Sequence, residues 1–229
     1  MTSRVSSIDT CRYTSDREGY DPMTGVADKI MQRVSAHDRG RWVCTPKDFI
    51  DLGSREAVDQ ALSRLAKAGR LRRVSHGLYD MPRISKVLNR PAPVDLEAAI
   101  AALARRDGVR IMPDGLMAAN QLGLTNAVPA KVSYVTDGHS RTLKVDGRTV
   151  RFRHAGPSVM LWAGRPAAPV VQALCWMGPG AAADGEIVST LNRHLPDEVK
   201  LDLLHNSRDV PGWALPLARS IASDQAVAV

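Results

Sequence analysis

Cysteine is scarce in this chain of 229 residues: Cys11, Cys44 and Cys175 stand far apart, with no C-x-x-C pair. That spacing argues against a disulfide framework or a zinc site and fits a reducing, cytoplasmic setting. Cys44 and Cys175 have apolar sequence neighbours and read as small core residues rather than reactive thiols. Aromatic residues make up only 4%, yet the hydrophobic fraction of 44% is ordinary for a globular protein. No apolar run approaches the length of a membrane span, and no signal-peptide apolar region opens the chain.

Catalytic signatures are missing too. There is no G-x-S-x-G, no H-E-x-x-H and no phosphate-cradling G-x-x-x-x-G-K. His139, His154, His194 and His205 match no metal spacing, and a lone histidine is usually packed or solvated. Gly53-Ser54 with Asp59 faintly matches a nucleotidyltransferase signature. Ala61 stands where a second metal-binding carboxylate is needed, so the match fails. Pro179 between Gly178 and Gly180 removes an amide that a phosphate cradle would use. No enzyme activity, metal or cofactor is expected.

What is present is basic charge in one place. The formal net charge is +7, and residues 24–90 alone hold fourteen basic and seven acidic residues. Residues 1–23 hold three and four, and residues 91–229 hold fourteen and thirteen. Such asymmetry is the electrostatic footprint of a nucleic-acid-binding module, although a basic face can be merely solubilising.

The pattern along the chain divides it in the same way. Residues 1–23 are polar and aperiodic and are expected to be disordered. The first 22 residues read as an upstream extension or as vector-derived sequence. From Val26 a helical face appears (Val26, Ile30, Met31, Val34), followed by a short strand at Trp42-Val43-Cys44. Thr45-Pro46 starts a short helix that Gly53 ends, and Ser54 caps a third helix with Val58, Ala61, Leu62 and Leu65 on one face. Gly69 stops that helix, and a hairpin follows: Arg70 to Val74, a turn through Ser75-His76-Gly77, then Leu78 to Met81.

This order is that of a winged helix-turn-helix domain, expected over residues 24–90. The third helix presents Glu56, Gln60, Ser63 and Lys67 opposite its apolar face, with Arg64 beside them. Gln60, Ser63, Arg64 and Lys67 suit base edges, and Ser54 and Arg55 suit phosphate. Arg72, Arg73 and His76 complete the expected DNA-contacting set. A three-helix unit with a hairpin can also be a protein-interaction module, and polar helix faces are usually solvated.

Pro82 to Pro93 reads as a linker, and residues 91–229 as a second, mixed α+β domain expected to fold on its own. Within it, Arg141 to Val145, Asp146-Gly147 and Thr149 to Phe152 predict a hairpin with a type I′ turn. Arg141, Lys144, Arg148, Arg151 and Arg153 form a second basic cluster there, open to a DNA backbone, an acidic partner or solvent alone.

"LAKAGRLRRVSHGLYDMP" resembles the end of the winged helix in AbiEi-type antitoxins, where the recognition helix runs into a "G-x-L-x-R-V-x-x-G-x-Y" hairpin. "DGLMAANQLGLTNAVPAKVSYVTDG" is similar to that family's second-domain helix, loop and strand, and "RTVRFRHAGP" to the strand that follows. The resemblance spans residues 24–222, with His76 standing where that family commonly has a basic residue. It implies an antitoxin whose winged helix represses its own promoter and whose second domain counters an AbiEii-like nucleotidyltransferase toxin, directly or indirectly, in phage defence. The alternative is a winged-helix transcription factor whose second domain senses a ligand or dimerises.

Overall fold

A computed structural model describes residues 22–37, 41–85, 89–127, 131–180 and 184–223. The expected disorder of residues 1–23 falls almost wholly outside them. The chain is mixed α+β. Helix α1 (Pro22–Ala36) buries Ile30, Met31 and Val34. Strand β1 (Val43–Cys44) leads into a 3-10 turn, Pro46–Phe49, rather than an α-helix. Its start is closed locally, because the Asp48 carboxylate accepts from the Thr45 amide at 2.7 Å and the Thr45 hydroxyl at 3.1 Å. Arg33 of α1 reaches the same turn, donating to the Asp48 carbonyl at 2.7 Å and to both Asp51 oxygens at 2.8 and 2.6 Å.

Helix α2 (Arg55–Lys67) is capped by Ser54, whose hydroxyl accepts from the Ala57 amide. It buries Val58, Ala61, Leu62 and Leu65, the apolar stripe read from the sequence. Gly69 follows with φ +69°, a conformation that side chains resist. Strands β2 (Arg72–Ser75) and β3 (Leu78–Asp80) pair antiparallel, and β3 also pairs with β1, giving the order β1-β3-β2. The expected linker is more structured than its prolines suggested. Strands β4 (Ile84–Ser85) and β5 (Arg90–Pro91) pair antiparallel there.

Helix α3 (Leu96–Asp107) then packs on a four-stranded sheet of order β6-β7-β9-β8: β6 (Ile111–Pro113), β7 (Val132–Thr136), β8 (Arg141–Val145) and β9 (Arg148–His154). β8 and β9 form the predicted hairpin, with Asp146 and Gly147 at φ +49° and +78°. β9 also pairs in parallel with β7, so β8 is one edge of the sheet and β6 the other. Helices α4 (Gly115–Gln121), α5 (Pro157–Met160) and α6 (Ala168–Met177) lie against this sheet or one another, and α7 (Gly185–His194), α8 (Asp197–His205) and α9 (Leu215–Ile221) complete the helical layer. Residues of α4 and α6 approach closely through Ala118, Ala119 and Ala173, which are all fully buried. Among the described residues no helix is long and apolar enough to cross a membrane.

The apolar cores do not respect the division at residue 90. Val43, Val74 and Leu78 belong to the same buried cluster as Ala99, Ile100, Leu103, Tyr134 and Phe152. Strand alternation explains this. Leu71 and Tyr79 face α2, whereas Val74 and Leu78 face α3 and the second sheet. The small sheet is therefore buried on both faces.

Candidate nucleic-acid interface

The same alternation divides the arginines of β2. Arg72 lies opposite Asp80 in the ladder and Arg73 lies opposite Tyr79. Arg72 grips the buried Asp80 carboxylate through two bonds, at 2.9 and 2.5 Å, and donates a third to the Ala92 carbonyl at 2.8 Å. Asp146 stands 3.8 Å away. The Asp80 bonds, outweighing the cost of burial, raise the Arg72 pKa further above its ordinary value. Arg72 thus ties β2 to β3 and to the chain beyond Pro91, and its expected role as a phosphate contact is corrected on this ground.

Arg73 has a different surrounding. It is exposed and makes no hydrogen bond or ion pair with any described residue. With Ser63, Ala66, Lys67 and Tyr79 it lines a cleft of about 220 Å3 between α2 and the hairpin. Burial raises the Tyr79 hydroxyl pKa, and the nearby Arg73 charge opposes that rise. On α2, Gln60, Ser63, Arg64 and Lys67 are all exposed, on the side away from Val58 and Leu65. Among the described residues neither Arg64 nor Lys67 has an ion-pair partner.

Three expected contacts are partly engaged elsewhere. The Ser54 hydroxyl is the α2 cap, accepting from Ala57 at 3.3 Å. Arg55 pairs with Asp59 one turn on at 2.9 Å, but both are about half exposed, and such pairs contribute only about 0.3–0.5 kcal/mol. That bond can be exchanged for a phosphate at small cost. His76 sits exposed at the hairpin tip, where its carbonyl accepts from Arg106 of α3 at 2.5 Å. The tip is held in place, and Gly77 beside it adopts φ +67°.

The second basic cluster is divided by its strand. Arg141 turns toward α3, forms an ion pair with Asp107, and lies 5.7 Å above the Phe152 ring. Lys144, Arg151 and Arg153 are exposed, and alternation places them on the opposite face from Phe152. Arg148 is exposed at the turn end. That turn docks on β2: the Asp146 amide donates to the Val74 carbonyl at 2.9 Å, and the Ser75 hydroxyl to the Lys144 carbonyl at 2.9 Å. The Asp146 carboxylate accepts from the Val94 amide at 3.0 Å. Sequence reasoning identified Asp146 as a turn former and missed this second duty, because the partners are remote in the chain.

The two cysteines also part. Cys44 is buried, and desolvation pushes its thiol pKa to about 12. Cys175 is exposed, contrary to the core role read from its apolar neighbours, because sequence neighbours on a helix point in different directions. Among the described residues no group of three or more His, Cys, Asp or Glu side chains could hold a metal ion.

No curated protein matches the chain. Among solved structures it is similar to the RV2827C protein from Mycobacterium tuberculosis, at 18% identity and a TM-score of 0.40, over 86% of this chain and 76% of that one. A family model matches residues 29–198, most of the chain and both sides of residue 90. The protein belongs to DUF6088, a family of unknown function.

Proposed function

We propose that the segment through β3 is a winged helix-turn-helix unit that binds duplex DNA, with α2 as recognition helix and β2–β3 as wing. The observation that carries this reading is the convergence of Ser63, Lys67 and Arg73 on one cleft while Arg64 and Gln60 stand exposed beside it. Exposed cations without an ion-pair partner among the described residues, next to a polar helix face, suit a phosphate backbone flanking readable base edges. In this reading Ser54 and Arg55 at the start of α2 approach phosphate. The remainder of the chain is proposed to act as the antitoxin part of an autorepressor, countering a nucleotidyltransferase-like toxin directly or indirectly in the cytoplasm. Support for that half is the resemblance of the wing segment and of residues 114–138 to AbiEi-type antitoxins. The protein is then a binding protein and not an enzyme.

Gel-shift titration of the full chain on its own promoter, at two salt concentrations, tests the DNA half. Specific binding that falls steeply with salt is expected, because lysine and arginine contacts release counterions from the phosphates. Equal weak binding to promoter and random DNA at both salts would overturn it. Co-expression with the product of a neighbouring nucleotidyltransferase-like reading frame tests the second half. Survival restored by this chain supports the antitoxin reading, and no rescue rejects it.

A further inference from the structure

A cavity of about 440 Å3 opens between β9, α5 and α6, far in sequence from the basic module. Its lining includes Trp162, Trp176, Val171 and Val210. Trp176 is 48% exposed, although it is among the largest apolar groups of the chain. Its position is set by close helix packing. A Cβ on Gly115 would lie 2.3 Å from the Trp176 Cβ and 2.7 Å from the Gln172 carbonyl oxygen, so only glycine lets α4 approach α6 here.

The polar groups of the cavity are incomplete. Gln172 is only 7% exposed and lines the cavity, yet its side chain makes no hydrogen bond with any described residue. Its amide atoms are not sealed from solvent, so they stand open to the cavity and to a guest's hydrogen bond. Arg153 reaches the same cavity from β9 and has no ion-pair partner among the described residues. The acid of the lining, Asp209, is already neutralised by Arg165 at 2.9 Å, while its carbonyl accepts from the Trp162 indole at 3.3 Å. The wider groove between α7 and α9, about 720 Å3, differs in this respect: the Asn192 amide there donates to the Ile221 carbonyl at 3.0 Å.

We propose that this cavity binds a small, flat, anionic molecule, an aromatic or comparably planar carboxylate. Its ring lies along Trp176, its carboxylate meets Arg153, and Gln172 supplies a hydrogen bond from the buried wall. The volume suits one such molecule, and an apolar pocket with a few converging polar groups is the ordinary form of a small-molecule site. The inference stands apart from the DNA reading, since none of these residues belongs to that surface of α2 and β2.

Isothermal titration of the full chain with 1-naphthoate and with neutral 1-naphthalenemethanol tests it. One site per chain is expected, with naphthoate binding about tenfold more tightly, as a charge-assisted bond implies. Arg153→Gln, at an exposed position, should remove that preference while leaving the alcohol unchanged. Gln172→Leu should weaken naphthoate without restoring equality between the probes. No saturable binding of naphthoate, equal affinity for both probes, or a preference that survives Arg153→Gln would each overturn the proposal.

Discussion

In the β2–β3 hairpin, Arg72 is held by Asp80 while Arg73, one residue on, stands beside Lys67 with no ion-pair partner among the described residues. In the β8–β9 hairpin, Arg141 is held by Asp107 while Lys144, Arg151 and Arg153, on the other face, have no ion-pair partner among the described residues. Both hairpins thus use one arginine to fasten themselves to the body and leave others outside. The difference lies in what stands next to the free cations. Arg73 shares a cleft with a polar helix face, whereas Arg153 borders an apolar cavity lined by Gln172, whose amide has no hydrogen bond among the described residues. In the readings proposed above, similar basic composition serves a polyanion at one hairpin and a single small anion at the other.

The strongest way to break that comparison is to separate the hairpins. A fragment of residues 22–90 exposes Val43, Val74 and Leu78, each now buried against the second sheet or α3. Burial of such a side chain contributes about 1.5–3 kcal/mol, so the fragment should lose several kcal/mol. Thermal melting by circular dichroism reads this, and a fragment as stable as the intact chain would show that the shared cluster contributes little.

Next in size is the arginine clasp. Asp80→Ala leaves the partly buried Arg72 guanidinium without its carboxylate, at an expected cost of about 3–5 kcal/mol. Arg73→Ala, one residue away, should change stability by less than about 0.5 kcal/mol. Urea denaturation of the two variants distinguishes them, and equal losses would erase the division of β2 into a structural and a free arginine.

DNA binding sharpens the comparison on the functional side. Gln60→Ala and Arg64→Ala should relax sequence preference by about 1–3 kcal/mol per lost bidentate contact. Arg73→Ala should weaken all sequences alike and lower the salt slope by about 1. Arg151→Ala, on the other hairpin, should leave both quantities unchanged. A gel-shift series in which Arg151→Ala matches Arg73→Ala would merge the two basic surfaces into one.

The smallest expected effect is acid sensitivity at the second clasp. Burial acts to raise the Asp107 pKa, but bonds from Arg106 and Arg141 outweigh it and hold the carboxyl below its ordinary 3.8. A depressed carboxylate stabilises the fold above its unfolded-state pKa, and that contribution disappears as pH falls through the folded value. The urea midpoint of the wild-type protein should therefore drop more steeply below about pH 4 than that of Asp107→Asn. Parallel acid profiles would show that the Arg141 clasp contributes nothing to stability.

Sequence periodicity and punctuation were enough for the local elements. The stripe Val58, Ala61, Leu62, Leu65 defines α2 and its buried face, Ser54 and Gly69 bound it, and Asp146-Gly147 sets the β8–β9 turn. These are interactions within a few residues, where spacing alone specifies who meets whom. The polar face with Gln60, Ser63, Arg64 and Lys67 follows from the same 3.6-residue repeat. The Thr45-Pro46 start was legible from local punctuation, but the grip of Arg33 on the Asp48 carbonyl, from fifteen residues away, was not.

Tertiary structure alone decided which charges were free. Alternation separates Arg72 from Arg73, but which of the two is held depends on partners outside its own strand, Asp80 across the hairpin and Ala92 and Asp146 farther along the chain. Nor does any short pattern announce that β9 inserts between β7 and β8, which brings Arg153 to the cavity formed with α5 and α6. The amphipathic repeat fixes only that a side chain points inward or outward from its own element. Which neighbour then receives it depends on long-range packing, and that contact determines whether a cation or an amide is satisfied or left for a partner.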